Sequence, residues 1–298
     1  MSLASSENSA LEIRPASPNV GVEIVGVDLC NLSDAEFDQI QDAFDEYSGL
    51  LIRGQNLNDE DQVAFSKRFG DLDHAPVMEG GRTAVEGYPE IYVISNISGN
   101  DGKPIGSLGS GEAVWHTDMS YLGNPPYASS LYSKEIPPSG GSTWLCSMEA
   151  AYKALPDELK AKIADKRIKH DGTYNSGGYV RAGVVEADNP KDAVGTFHPA
   201  VIRHPRTGRP SLYLGRRRNA YVEGMSLEES EALLDELWQY ATLPENSYRH
   251  DWQVGDLLMW DNRSTMHRRD PFDAAARRLM HRTQIKGLGT PKSVEASS

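Results

Sequence analysis

Trp115-His116-Thr117-Asp118 is the stretch on which the fold turns. Side chains of an extended strand alternate between faces, so His116 and Asp118 point one way and Thr117 the other. One further imidazole would complete the two-His, one-carboxylate set that leaves open positions on Fe(II). His267 is the candidate, at the end of Asp261-Asn262-Arg263-Ser264-Thr265-Met266-His267 and directly after the apolar run Leu257-Leu258-Met259-Trp260. Taken alone His-x-Asp is weak, because a His116 bonded to a backbone carbonyl and an Asp118 closing a turn would explain it equally well.

Outward from the motif, Glu90 to Ser147 is rich in Gly, Pro, Tyr and β-branched residues, with strand candidates at Ile91-Tyr92-Val93-Ile94 and Ser129-Ser130-Leu131-Tyr132. Short strands separated by turn signals point to a barrel or sandwich. Upstream, Gly21 to Val27 alternates as a strand and Ser33-Asp34-Ala35-Glu36 is a capping box. Phe37, Ile40, Phe44 and Tyr47 follow at helical spacing. Gly49-Leu50-Leu51-Ile52-Arg53 reads as a buried strand, and Asn58 as the cap of a second helix carrying Val63, Phe65 and Phe69. Downstream, helices are expected over Ser147 to Ala164 and Ser226 to Tyr240, and strands over Phe197 to Ile202, Ser211 to Leu214 and Asp256 to Trp260. Helices interrupting short strands make the fold class α+β, a jelly roll with flanking and inserted helices. One catalytic domain spans 1–298, its core about 11–289, with frayed ends at Met1 to Asn8 and Thr290 to Ser298 and an insertion and lid about 147–195; Arg167 to Gly195, mixed in charge and rich in Gly, is the lid stretch.

Composition narrows the function. A net charge of −13 argues against non-specific contact with nucleic acid or an acidic membrane, so arginines gathered at one site would mark a small anionic substrate. No apolar run approaches the ~18 residues needed to cross a bilayer, and Met1 to Ala10 has no basic start before an apolar core, which predicts a cytoplasmic protein with no membrane partner. Cys30 and Cys146 are the only cysteines, too few for a disulfide framework or thiolate cluster.

The second half of the pattern gives the motif its weight. In Arg277-Arg278-Leu279-Met280-His281-Arg282-Thr283, strand alternation sets Arg278, Met280 and Arg282 on one face. A dicarboxylate bound to iron through one end needs a guanidinium at the other, and Arg278 is the candidate, because the bidentate Arg–carboxylate pair is a strong one. His116-Thr117-Asp118, Pro125-Pro126, Gly140-Gly141-Ser142-Thr143, Trp260-Asp261-Asn262-Arg263 with His267, and Arg277-Arg278 with His281-Arg282-Thr283 together resemble the taurine and aryloxyalkanoate dioxygenase family, from about Val22 to Gly287. The resemblance implies a double-stranded β-helix, cupin-like, and a dioxygenase dependent on Fe(II), 2-oxoglutarate and O2. It implies that His116, Asp118 and His267 ligate iron, that Thr143 and Arg278 hold the distal carboxylate of 2-oxoglutarate, and that Arg282 anchors the anion of the substrate. A small sulfonate or carboxylate such as an aryloxyalkanoate would be hydroxylated, with succinate and CO2 as co-products, in a dimer or tetramer.

Two departures bear on the substrate. Taurine enzymes carry a His and a Tyr after the Phe-Gly step, whereas Phe69-Gly70-Asp71-Leu72-Asp73-His74-Ala75-Pro76-Val77-Met78 aligns Ala75 and Met78 there, with His74 one place off. That argues against taurine and makes His74 a substrate contact only if the loop shifts. The family's pocket-closing aromatic falls within Tyr213-Leu214-Gly215-Arg216-Arg217-Arg218-Asn219; three adjacent arginines commonly form a solvated face or a subunit interface, and where one faces the pocket instead Arg218 is the candidate. The same chemistry on a biosynthetic, natural-product or amino-acid-like substrate is the alternative. A non-catalytic cupin-like metal-binding protein is disfavoured, because structural sites fill their coordination sphere and this pattern offers only three ligands.

Overall fold

The computed structural model describes residues 10–75 and 84–294. Its centre is the strand Leu257–Asp261, buried along its whole length between Gly49–Ile52 and Ala128–Glu135. The nine-stranded sheet built around it continues through Leu279–Ile285 to Tyr88–Ser95 on one side and through Val22–Val25 to Glu12–Pro15 on the other. A four-stranded sheet runs Ser247–His250, Thr143–Ser147, Thr265–Arg269, Ala113–His116. The architecture is mixed α and β, with helices packed outside both sheets.

Strand alternation sorts the side chains into layers. Leu257 and Met259 join one cluster with Ile40, Phe44, Val63 and Phe65 of the first two helices, while Leu258 and Trp260 join another with Leu131, Met280 and Leu145. Leu145 comes from the smaller sheet, so that second cluster lies between the sheets. Cys146 and Met266 point from the smaller sheet the other way, into a third cluster under Met148–Ala154, Asp157–Ile163 and Leu227–Ala241. Each fully buried Leu, Ile or Phe contributes about 1.5–3 kcal/mol, so three clusters hold the sheets in fixed relation.

The capping boxes at Ser33 and Ser226 form as the sequence predicts, and Asn58 caps Asp59–Lys67 with Asp61. That helix is bolted to the strand Leu279–Ile285. Gln62 Nε2 donates to the His281 carbonyl at 2.9 Å, Ser66 shares a 2.7 Å hydrogen bond with Thr283, and Asp59 meets His281 Nδ1 at 2.9 Å.

Three expectations are revised. Phe197 to Ile202 is two strands, Gly195–Pro199 pairing with Arg167–Asp171 and Val201–Arg203 pairing with Pro210–Leu212. The expected insertion and lid over 147–195 divides: Met148–Ala154, Asp157–Ile163 and Arg167–Asp171 are packed into the body, and residues 172–194 alone form an irregular excursion. Met1 to Asn8 and 295–298 lie outside the described residues, but Thr290 to Val294 is tied down. Lys292 accepts from Arg203 N at 2.9 Å, Ser293 bridges Ile202, and Val294 packs on the third cluster.

Candidate metal centre

His116 ends its strand opposite His267, a register set by the hydrogen bonding of Ala113–His116 to Thr265–Arg269. Asp118 follows two residues beyond the strand's end, in a turn rather than on the extended strand the sequence suggested. Ligand atoms of the three lie within 4.8 Å of one another, with Asp118 oxygens 3.7 Å from His116 Nε2 and 3.8 Å from His267 Nε2. His116 Nδ1 is 2.7 Å from the Val114 carbonyl, which fixes the tautomer that leaves Nε2 free as a donor to a metal.

Electrostatics keep the set ready for a cation. Burial, with the neighbouring His267 and Arg216, holds the His116 pKa well below the usual imidazole range, and burial pushes His267 down to about 4. Both imidazoles are therefore neutral at pH 7. Burial alone would raise the Asp118 pKa, but Arg282, His267 and His116 outweigh it and hold the carboxyl well below the ordinary range. Ser129 Oγ donates to Asp118 Oδ2 at 2.7 Å. Its own lone pairs accept from Asn262 Nδ2 at 3.2 Å and Gln284 Nε2 at 3.3 Å, so the hydroxyl hydrogen is committed to Asp118. Arg282 Nη1 reaches the other oxygen at 3.2 Å. Two neutral imidazoles and a carboxylate on one side, with nothing else among the described residues completing the set, fit a divalent metal with open positions.

Beside the triad a cavity is lined by Thr143, Trp260, His267, Arg269, Arg278 and Arg282, with Ser176 contributed by the excursion. Arg278 is 2% exposed, its Nε is unpartnered and it forms no ion pair with a described carboxylate. Burial and the nearby Arg269 push it down to about 9, still protonated at neutral pH. Thr143 pairs with Arg269 in the register, and its Oγ1 accepts from Trp252 Nε1 at 3.0 Å, leaving the hydroxyl hydrogen to donate into the cavity. A cation and a hydroxyl donor converging in a buried pocket are what a carboxylate fits.

The remaining substrate candidates land differently. His74 is exposed, and its neighbour Ala75 packs on the cluster between the sheets, so the chain there does not bring His74 into the cavity; Met78 lies outside the described residues. Arg218 is also exposed, stacked 3.4 Å over the Tyr174 ring, and Arg217 pairs with Glu231 and Asp235. Arg216 is the member of the run beside the metal centre. It bridges His116 through the backbone, and Gly215, at φ +68°, makes this approach feasible: a Cβ there would lie 2.4 Å from His170 Nδ1. Ser129, Trp252, Arg216 and Arg269 were not singled out as site residues by sequence reasoning. Trp115 and Trp260 serve as packing, with the Trp260 ring 4.4 Å from that of His267.

Two buried imidazoles and one carboxylate that could hold a metal with open positions, beside a cavity with an unpaired guanidinium, fit the class of non-haem Fe(II) oxygenases. The sequence profile of the taurine catabolism dioxygenase TauD, TfdA family matches residues 12–284, and the chain belongs to that family. It is 34% identical, over 93% of its length and 96% of the relative's, to the (S)-phenoxypropionate/alpha-ketoglutarate-dioxygenase of Sphingobium herbicidovorans. It is 30% identical, over 88% and 90%, to the pentalenolactone F synthase of Streptomyces avermitilis. The solved structure of AAD-2 in complex with Mn(II) and N-oxalylglycine superposes with a TM-score of 0.74 at 31% identity, covering 95% of this chain and 99% of that one. The protein is a 2-oxoglutarate-dependent dioxygenase that uses Fe(II) and O2.

Proposed function

We propose that His116, Asp118 and His267 ligate the iron, that Thr143 and Arg278 hold the distal carboxylate of 2-oxoglutarate, and that Arg282 anchors a small organic anion for hydroxylation, a carboxylate such as an aryloxyalkanoate or a sulfonate. Iron and 2-oxoglutarate bound there supply oxygen activation, with succinate and CO2 as products. The observation that carries the assignment is Arg278, a buried guanidinium without a carboxylate, next to a threonine hydroxyl whose hydrogen is free. Arg282, already 3.2 Å from Asp118, places a substrate anion next to the metal, so that the C–H bond is set by the length of the molecule between them. Trp260, Leu131 and Ile94 line the apolar wall and exclude water.

The two sheets are the walls of a double-stranded β-helix, and the chain forms one catalytic domain, 1–298, with residues 172–194 as its lid, supported by Ser176 in the cavity wall. The acidic protein acts in the cytoplasm as a dimer or tetramer, without nucleic-acid or membrane partners; no helix among the described residues is long and apolar enough to cross a membrane. A biosynthetic substrate is the second reading, favoured by the similarity to pentalenolactone F synthase.

Anaerobic addition of Fe(II) and 2-oxoglutarate is expected to give a visible metal-to-ligand charge-transfer band, absent in His267→Ala. A correctly folded wild-type protein lacking that band would sink the proposal. Succinate release across aryloxyalkanoates, sulfonates and terpenoid acids then separates the two substrate readings.

A further inference from the structure

Arg216 is a buried cation for which the reaction as proposed supplies no anion. It is 8% exposed, its guanidinium donates only to the backbone carbonyl of Tyr174, its Nε is unpartnered, and no described carboxylate forms an ion pair with it. A second cation stands close by. Arg181, on the excursion, stacks 4.3 Å over the Tyr121 ring, also with its Nε unpartnered. Asp171 offsets part of this charge, but its oxygens accept from the backbone N–H groups of Thr173 at 3.1 Å and Tyr174 at 3.2 Å. Arg181 stands near enough to act on Arg216 electrostatically.

Arg216 and Arg282 flank the same triad from different parts of the fold. Arg216 continues the four-stranded sheet beyond His116, whereas Arg282 belongs to the nine-stranded one. Arg282 reaches Asp118 at 3.2 Å, whereas Arg216 has no hydrogen bond to it. Once Asp118 gives its charge to a metal, each guanidinium needs another anion, and Arg278 with Thr143 already accounts for the far end of 2-oxoglutarate. Leaving a buried guanidinium unpaired is costly, so the anion is expected from the substrate.

We propose that the natural substrate carries two anionic groups, one held by Arg282 and the other by Arg216 with help from Arg181, so that the carbon to be hydroxylated lies between them over the metal. This rests on the reading of the site as an iron and 2-oxoglutarate centre for an organic anion and narrows that substrate class to dianions.

The test uses the full-length protein loaded with Mn(II) and N-oxalylglycine, and two matched probes, phenoxyacetate and 4-carboxyphenoxyacetate, followed by thermal shift and tryptophan fluorescence titration. The dianion is expected to bind about tenfold or more tightly than the monoanion, the size of one charge-assisted hydrogen bond. Arg216→Met should cut that ratio at least fivefold, Arg216→Lys should restore part of it, and Arg218→Ala should leave it unchanged. Equal affinity for the two probes in the wild-type protein, no binding of the dianion, or an equal loss on both probes in Arg216→Met would overturn the proposal. Failure of Mn(II) and N-oxalylglycine to load would instead overturn the underlying reading of the site, and this inference with it.

Discussion

The cavity wall around Arg278 and the neighbourhood of Arg216 are built on different principles. At Thr143, Arg269 and Arg278, the functional side chains sit in or beside hydrogen-bonded strands, and their aim follows from register: Thr143 opposite Arg269, His116 opposite His267. Elsewhere in the wall Ser176 comes from an irregular excursion, and Arg216, which flanks the triad through its bridge to His116 without lining the cavity, arrives on a glycine turn. A strand fixes direction by alternation, which suits the proposed role of Arg278 and Thr143 toward a co-substrate that never changes; a loop fixes it case by case, which suits the proposed role of Arg216 toward the substrate.

That contrast can be broken experimentally. Arg278→Met should have the largest effect: losing a charge-assisted pair of about 1.5–3 kcal/mol should raise the KM for 2-oxoglutarate by roughly 10–100-fold. Comparable KM values in mutant and wild type would move the carboxylate site elsewhere. Acid should come next. Because burial depresses His116 and holds His267 at about 4, below the ordinary imidazole pKa of about 6.5, the unfolded chain takes up protons first and the metal-free protein loses stability as pH falls from about 6.5 toward 4. Thermal melting of the apoprotein across that range checks it, and a flat profile would contradict neutral buried imidazoles. Trp252→Phe removes only the donor that orients the Thr143 hydroxyl, so the 2-oxoglutarate KM should rise about 2–10-fold, for a hydrogen bond of about 0.5–1.5 kcal/mol, with little change in the substrate KM. Smallest of all, Arg218→Ala, at an exposed position, should stay within about 0.5 kcal/mol of wild type in stability and leave turnover unaltered; a large loss of activity would return Arg218 to the pocket.

The same contrast explains what the sequence made legible. Arg278 and Arg282 stood out because period-two alternation converts spacing into a shared face, and both line the cavity; the strand expected through His116 and Asp118 instead ends at His116 and turns at Asp118, yet their ligand atoms still converge. The paired capping residues marked helix starts to the residue. Ser129 was invisible as a site residue because a serine in a strand is common, and only its place beside Asp118 gives it a partner. Arg216, which the sequence offered only as part of the Arg216–Arg218 run, stands beside His116 because the left-handed turn at Gly215 breaks the alternation of Leu212 and Leu214, which point into the cluster beneath. The stretch 147–195 divides in the structure because helices packed on the core and an irregular loop both read as insertions between strands. His74 was misplaced for want of the register that turns Ala75 inward.

The helix Asp59–Lys67 holds Leu279–Ile285 from behind through Asp59, Gln62 and Ser66, none of which lines the cavity. It acts as a tripod for Arg282 and Met280 on the opposite side of that strand. Engineering for new substrates therefore meets a seam: the excursion 172–194 is anchored at Thr173, Tyr174 and Ala193 but irregular between them, whereas changes at Asp59, Gln62 or Ser66 would be expected to shift the strand that carries Arg282 without touching a ligand.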